Sequence, residues 1–513
     1  MNLFKKKYNL NFYYLIGLIF PLLTLLSTYL LYDFSKRTIL IYFIIIIVII
    51  YILQLIKNKN VFNTFLVMSS FLISLFSFIE IFHFIVFKDS ITESSIYIAL
   101  ETNRNELLEF VSSYFRNSVL LYAFIHISSF IVGIYYSIIR TDTIKISKNK
   151  KLYIIVLFFL MFSMIYKFRA DFLPYTIYQS TVAFLQQREE FGNIRITKNG
   201  NFTNVEYEEN DEEICVVIIG ESTTRNHMGL YNYYRNTNPL LTNRSDLSVF
   251  TNVKTPHTHT ITALGEVLVL DNTSLKNKYN STLIQLMNSA NYKTYFISNQ
   301  KPIGIYETSI TLISKTSDKS YFTDVSRNKY DEAIFKPLER VLADSVKRKF
   351  IMIHLMGTHT EYSRRYPIEF RVFKDTPITK YKHQTAYSTI NEYDNAVLYN
   401  DFIVNEIIEK VNKYESNSYV LYFSDHGEDV YETIDEACHT ESKGTAPMYN
   451  IPFMIWQSKK HKDGFNSIKN MELPYNSKYL IHTIADLSKI KFTKFNKNKS
   501  IVNQNYDEKN DQK

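Results

Sequence analysis

Residues 418–428 read SYVLYFSDHGE. The apolar part, 419–423, has the length and β-rich composition of a buried strand. It runs without a break into Ser424-Asp425-His426-Gly427. A carboxylate and an imidazole side by side at the carboxyl end of a parallel strand stand where open α/β sheets bind ligands, and both are metal-ligating groups. An Asp-His pair after one strand is a weak signal by itself; its meaning depends on what other strand ends bring to the same crevice.

Four more apolar runs share that pattern: 215–219, 292–297, 349–354 and 452–456. Helical stretches at 281–289, 332–347 and 393–413 alternate with them, so the expected fold is a parallel, doubly wound α/β sheet. The run 215–219 ends in Gly220-Glu221, and 349–354 ends in His354 with His359 five residues on. His439 follows His426 by thirteen residues. In a doubly wound sheet these ends share one crevice, and carboxylate oxygen with imidazole nitrogen is a zinc-type donor set. Polar residues that merely satisfy loop ends explain any one of them, but poorly explain all. A nucleophile is also at hand in 255–264, TPHTHTITAL, which opens a helical-looking run. A threonine hydroxyl at a helix amino terminus beside a divalent cation can be deprotonated near neutral pH. Four threonines compete there (Thr255, Thr258, Thr260, Thr262), and spacing alone does not choose among them; threonines before helices are usually caps.

The 513 residues divide unevenly: the mean hydropathy of −0.13 averages an apolar first third with a polar Asn/Lys/Tyr-rich remainder. Apolar runs at 10–31, 38–56, 61–87, 118–139 and 152–166 predict five membrane spans, a span needing about 20 residues. Lys5, Lys6, Lys7, Lys57, Lys59 and the basic group between Arg140 and Lys151 mark inside loops, which puts everything after Tyr166 outside. The first run lacks a small-residue cleavage site and is not a signal peptide. Glu80 and His83 lie near the outer end of the third run, where a wetted helix end and a headgroup-binding role compete. The net charge of +8 is scattered, and no nucleic-acid partner is expected from it. Two cysteines, Cys215 and Cys438, make no disulfide framework. The expected domains are a membrane domain at 1–170, an amphipathic interfacial helix and polar linker at 171–213, a catalytic domain at 214–490 and a charged, disordered tail at 491–513.

Five stretches carry a family resemblance: IIGESTTRNHMGLYNYYRNTNP at 218–239, TPHTHTITALGEVL at 255–268, ISNQ at 297–300, HLMGTHTEYSRRYP at 354–367 and SDHGEDVYE at 424–432. With them the chain resembles the membrane-bound phosphoethanolamine transferases of Gram-negative bacteria, members of the alkaline-phosphatase/sulfatase superfamily. The resemblance implies Thr260 as nucleophile and Glu221, Asp425 and His426 as Zn2+ ligands, with the Thr260 hydroxyl completing the site. It implies that His359 and His439 contact the transferred phosphate or a second zinc. Thr102 and Glu106, one helical turn apart, match the donor-headgroup segment, and Asn299 joins them as a substrate-binding candidate. Some relatives carry an asparagine four residues before that threonine, where this chain has Ile98; many also carry several disulfides, which two cysteines cannot supply.

The implied reaction takes phosphoethanolamine from phosphatidylethanolamine, through an adduct on threonine, to lipid A, lipopolysaccharide core or a surface protein. The implied setting is a monomer in the bacterial inner membrane with its catalytic domain in the periplasm. The rival readings are a lipid-linked glycerophosphate transferase, a phosphatase or sulfatase-type hydrolase, and a membrane scaffold that keeps the fold. A sulfatase would want a Cys or Ser in a formylglycine-type motif, which the chain lacks.

Overall fold

The computed structural model describes residues 16–87 apart from 33–35 and 57, residues 117–139, and residues 172–507 apart from 194, 209–211, 272, 301–308, 324–329, 466–467 and 470, with isolated positions between 91 and 107 and between 155 and 167. The chain forms two compact units, Met1–Gln187 and Arg188–Lys513.

In the first unit four helices are built from the apolar runs: α1 (Ile16–Tyr32), α2 (Lys36–Leu55), α3 (Lys59–Phe87) and α4 (Asn117–Ile139). They are apolar all round, as helices in hydrocarbon are. Leu25, Ile46, Leu66 and Ile73 pack inward while Leu30, Met68 and Phe124 face out. Where packing lacks a hydrophobic drive, polar contacts help hold helices together. His126 of α4 lies 3.3 Å from the Thr24 hydroxyl of α1 and 3.2 Å from that of Ser77 on α3. Glu80 is buried, with the Tyr42 hydroxyl 3.4 Å away, so it is not a wetted helix end. Among the described residues, Lys36–Leu53 and Asn60–Val86 are long and apolar enough to cross a bilayer, with shorter apolar stretches at Pro21–Leu30 and Val119–Val132. The fifth expected span, 152–166, lies largely outside the described residues. Helix α5 spans Leu173–Asn193, within the stretch 171–213 where an interfacial helix and a linker are expected.

The second unit is built on a seven-stranded sheet: β1 (Glu213–Gly220), β2 (Leu247–Val249), β3 (Lys293–Ser298), β4 (Lys319–Phe322), β5 (Arg348–His354), β6 (Asn417–Ser424) and β7 (Phe453–Gln457), in the order β2-β7-β6-β1-β5-β3-β4. The central strands are apolar on both faces because both are covered. Along β1, Cys215, Val217 and Ile219 enter one core and Ile214, Val216 and Ile218 the other.

The expectation of an all-parallel sheet needs correction. β7 runs antiparallel to both β6 and β2. No helix long enough to carry the chain back over the sheet in parallel sense lies between β6 and β7; the intervening residues form a short ribbon, Asp429–Val430 with Ala437–Cys438, and the four-residue helix Ala446–Tyr449. β2 and β4 are short edge strands whose half-polar LSV and KSYF carry no strand signal. The disordered tail is also corrected. Phe492, Ile501 and Val502 are buried in the core, and Lys491 pairs with Glu206. Phe202, Val205 and Tyr207 of the expected linker pack on that same core, so these described parts of linker and tail belong to the domain.

Candidate active site

Register places the site. Ile219 pairs with His354 on one side, and Gly220 with Ser424 on the other, so Glu221 and Asp425 emerge together from the carboxyl ends of neighbouring strands. Gly357, at φ +53°, lets the loop after β5 close behind Glu221; a Cβ there would stand 2.8 Å from the Glu221 amide nitrogen. Ser222 holds a left-handed φ of 56°, which costs a non-glycine residue about 1–3 kcal/mol. Its amide donates to Asp425 Oδ1 at 3.1 Å, and its hydroxyl donates to Glu221 Oε1 at 3.1 Å.

His426 donates Nδ1–H to the Gly427 carbonyl at 2.9 Å, which leaves Nε2 as the lone-pair nitrogen. That nitrogen is 3.2 Å from Glu221 Oε1 and 3.4 Å from Asp425 Oδ2. The Thr260 hydroxyl, on the first residue of α6 (Thr260–Val267), is 3.1 and 3.2 Å from the two Glu221 oxygens and 3.4 Å from His426 Nε2. The other threonines are elsewhere. Thr255 donates to the Asp425 carbonyl at 2.6 Å, Thr258 is fully buried, and Thr262 donates to the His259 carbonyl at 3.0 Å.

The donor set fits a zinc ion. Four ligands about 2.0–2.1 Å from a tetrahedral centre lie roughly 3.3 Å from one another; Thr260 to Glu221, Thr260 to His426, His426 to Glu221 and His426 to Asp425 are separated by 3.1–3.4 Å, and the Glu221, Asp425 and His426 donor atoms all lie within 4.8 Å of one another. Asp425 Oδ2 is buried with no hydrogen-bond partner among the described residues. Burial, then the Glu221 charge, pushes the Asp425 carboxyl up to about 7. Burial would lower His426, but the two carboxylates raise it to about 10. Two carboxylates this close demand a positive charge between them, and a divalent cation answers that demand better than a proton.

The remaining residues surround this cluster. His439 follows the Ala437–Cys438 strand and gives Nδ1 to Glu428 Oε2 at 2.7 Å; its ring centre is 4.3 Å from that of His426. Glu428, Gln300 and Asp331 escaped the sequence reading. Gln300 donates to Glu221 Oε2 at 3.3 Å and to the Leu355 carbonyl at 2.9 Å. Asp331 accepts from the Met356 and Gly357 amides at 2.9 Å each, which fixes the loop after β5. Glu428 stands two residues past His426 in the quoted stretch and Gln300 closes the quoted ISNQ stretch, and those positions are the available signals; Asp331 left none. His359 is half-buried; burial, only partly opposed by Glu221, lowers its pKa to about 4 and keeps it neutral. His354 is buried beneath the site and lowered to about 4 by burial.

Asn299 is a correction. It is fully buried, its amide donates to Asp331 Oδ1 at 2.7 Å, and its carbonyl oxygen accepts from Thr323, so it has no face for a substrate. Thr102 and Glu106 lie outside the described residues. Cys215 and Cys438 are not joined in a disulfide, and burial pushes the Cys215 thiol up to about 12.

Residues 214–490 match the family model described as Sulfatase. Phosphoethanolamine transferase EptC of Escherichia coli K12 is 29% identical over 469 residues, which is 83% of this chain and 80% of the relative. The crystal structure of the C-terminal periplasmic domain of Escherichia coli EptC in complex with Zn matches at a TM-score of 0.57 and 33% identity, over 60% of this chain and 90% of that one. The integral membrane lipooligosaccharide phosphoethanolamine transferase A of Neisseria meningitidis matches at a TM-score of 0.70 over 96% of this chain and 97% of that one. At 19% identity that last likeness is one of fold.

Proposed function

Since this chain belongs to the sulfatase family and, within it, to the phosphoethanolamine transferases, we propose that it moves phosphoethanolamine from phosphatidylethanolamine to an envelope acceptor through a covalent adduct on Thr260. One observation carries the reading: the Thr260 hydroxyl, at a helix start, lies 3.1 Å from Glu221 and 3.4 Å from His426. Glu221, Asp425, His426 and Thr260 would hold one zinc ion; the grouping His426, Glu428 and His439 is where a second would sit. Bound there, zinc supplies positive charge that lowers the proton affinity of the Thr260 hydroxyl and offsets charge on phosphate oxygens.

In the first step Thr260 Oγ1, its proton lost to solvent, attacks the donor phosphorus. The bond from phosphorus to the glycerol oxygen breaks, and diacylglycerol leaves with a proton from His439. Glu428 on Nδ1 orients that ring and leaves Nε2 for the substrate. Free amides in the first turn of α6 point at the phosphate oxygens, as helix amino termini do. Neutral His359 adds a hydrogen bond. In the second step an acceptor hydroxyl or phosphate oxygen attacks phosphorus on the side opposite Thr260 and gives its proton to His439; the bond from phosphorus to the threonine oxygen breaks, and that oxygen recovers from solvent the proton lost in the first step.

The apolar helices of the first unit support an inner-membrane protein with this site in the periplasm, where both lipids are presented at one surface and need not be captured from solution. A monomer suffices, because every group in the scheme comes from one chain. Lipid A, lipopolysaccharide core and surface proteins all offer suitable oxygens. Mass spectrometry of envelope lipids and glycans from cells with and without the gene tests the reading: one species gains a phosphoethanolamine group only when the gene is present. A gained glycerophosphate, or no change in any species, would contradict it.

A further inference from the structure

The strap 363–382 lies between His359 and the long helix α7 (Gln384–Asn412). It is pinned along the outside of that helix. Phe370 packs on Tyr399 and Phe402; the Val372 and Phe373 amides donate to Asn395 Oδ1 at 2.9 and 2.8 Å; Asn391 donates to the Asp375 carbonyl at 2.8 Å. Further along, the Ile378 amide donates to the Tyr234 hydroxyl at 2.9 Å, and the Thr379 hydroxyl donates to the Tyr431 carbonyl at 3.0 Å. With its backbone held inward, the strap turns three aliphatic side chains to solvent: Ile368 is 69% exposed, Val372 60% and Ile378 76%. Single exposed aliphatics need no explanation. Three within eleven residues, on backbone this firmly tied, make a presented surface.

Its charge says what the surface fits. Arg371, Lys374, Lys380 and Lys382 are exposed on the strap, against exposed Glu369 and Asp375; Arg364, also exposed, is engaged by Glu361 at 2.7 Å. Asp375 is engaged by Arg235 at 2.8 Å, and neighbouring Asp435 by His383 at 2.7 Å. Aliphatic tips among cations are the chemistry of a surface that enters the headgroup layer of an anionic bilayer. We infer that the strap docks the catalytic domain on anionic phospholipid, with Ile368, Val372 and Ile378 inserted and the lysines and arginines on headgroup phosphates. This contact is separate from the transfer chemistry, and its test reads lipid contact whether or not transfer occurs.

The chain has one tryptophan, Trp456, and it is 1% exposed. Burial keeps Trp456 out of reach of lipid bromines, so the quenchable part of the emission reports on a tryptophan added at the strap. Full-length Ile378→Trp, and separately Val372→Trp, are placed in nanodiscs containing phosphatidylglycerol with brominated acyl chains. The expected result is quenching of the added emission and a blue shift relative to unbrominated discs. Tyr414→Trp, beyond the far end of α7, stays unquenched. Combining Ile378→Trp with Lys374→Glu, Lys380→Glu and Lys382→Glu reduces the quenching. Unquenched emission at both strap positions, quenching at 414 equal to that at 378, or quenching indifferent to charge reversal would overturn the inference; the first of these would point to a protein partner instead.

Discussion

The Tyr393 hydroxyl donates to the Ser222 carbonyl at 2.7 Å and accepts from the Thr224 amide at 2.9 Å. It thereby holds the left-handed residue that follows Glu221 and fixes the direction in which that carboxylate leaves β1. Tyr393→Phe keeps the ring but leaves a buried carbonyl and a buried amide unpaired, each worth about 1–3 kcal/mol. The variant should unfold earlier, followed through the fluorescence of Trp456, and should hold zinc less tightly than the native chain. Unchanged unfolding and zinc content would show that the clamp is dispensable.

Gln300 donates directly to the Glu221 carboxylate, at Oε2. A partner of this kind orients a ligand without touching the metal, and removing it typically costs about 10–100-fold in affinity or activity. Gln300→Ala should weaken zinc retention in a chelator competition by that order, while leaving the fold intact by circular dichroism. Asn299→Ala, one residue away, should instead lower stability, because Asn299 is bonded into the core and not to the site.

His482 links pH to the packing of the carboxy-terminal layer. It is buried, Nδ1 accepts from the Asn496 amide at 3.3 Å, and its ring stacks on Phe492. Burial, then Lys499, lowers its pKa to about 4. The unfolded chain binds a proton near pH 6.5 and the folded one does not, so this contribution is complete above pH 6.5 and is lost as pH falls toward 4. Between pH 7 and 5 the loss is about 2 kcal/mol. His482→Gln, whose amide oxygen can still accept from Asn496, should show a flatter decline in melting temperature over that range. An identical decline in both proteins would refute the assignment.

The carboxyl ends of the central strands were legible from sequence because a buried parallel strand writes itself as an apolar run, and the residue after it is then a site candidate by topology. Glu221, Asp425 and His426 all came from that rule. Thr260 did not: four threonines share its stretch, and only the family resemblance singled it out before the backbone separated them. Gln300 and Asp331 act through the register of β3 and β5 and through hydrogen bonds to partners at long sequence distance, which no local pattern encodes. The carboxy-terminal layer was misread for a simpler reason. Phe492, Ile501 and Val502 are sparse among lysines and asparagines, and composition averages them away although each buries about 1.5–3 kcal/mol of apolar surface. The antiparallel turn into β7 was missed because a parallel and an antiparallel strand buried on both faces have the same composition.

The central claim is that Thr260 carries the phosphoethanolamine group between donor and acceptor. It is tested most directly by peptide mass spectrometry of the full-length protein after brief exposure to phosphatidylethanolamine without acceptor. The native chain should show one phosphoethanolamine group on Thr260. Thr260→Ala should show none and transfer none, while still holding zinc through Glu221, Asp425 and His426. An adduct on Thr258, Thr262 or any other residue, or transfer by Thr260→Ala, would contradict the account.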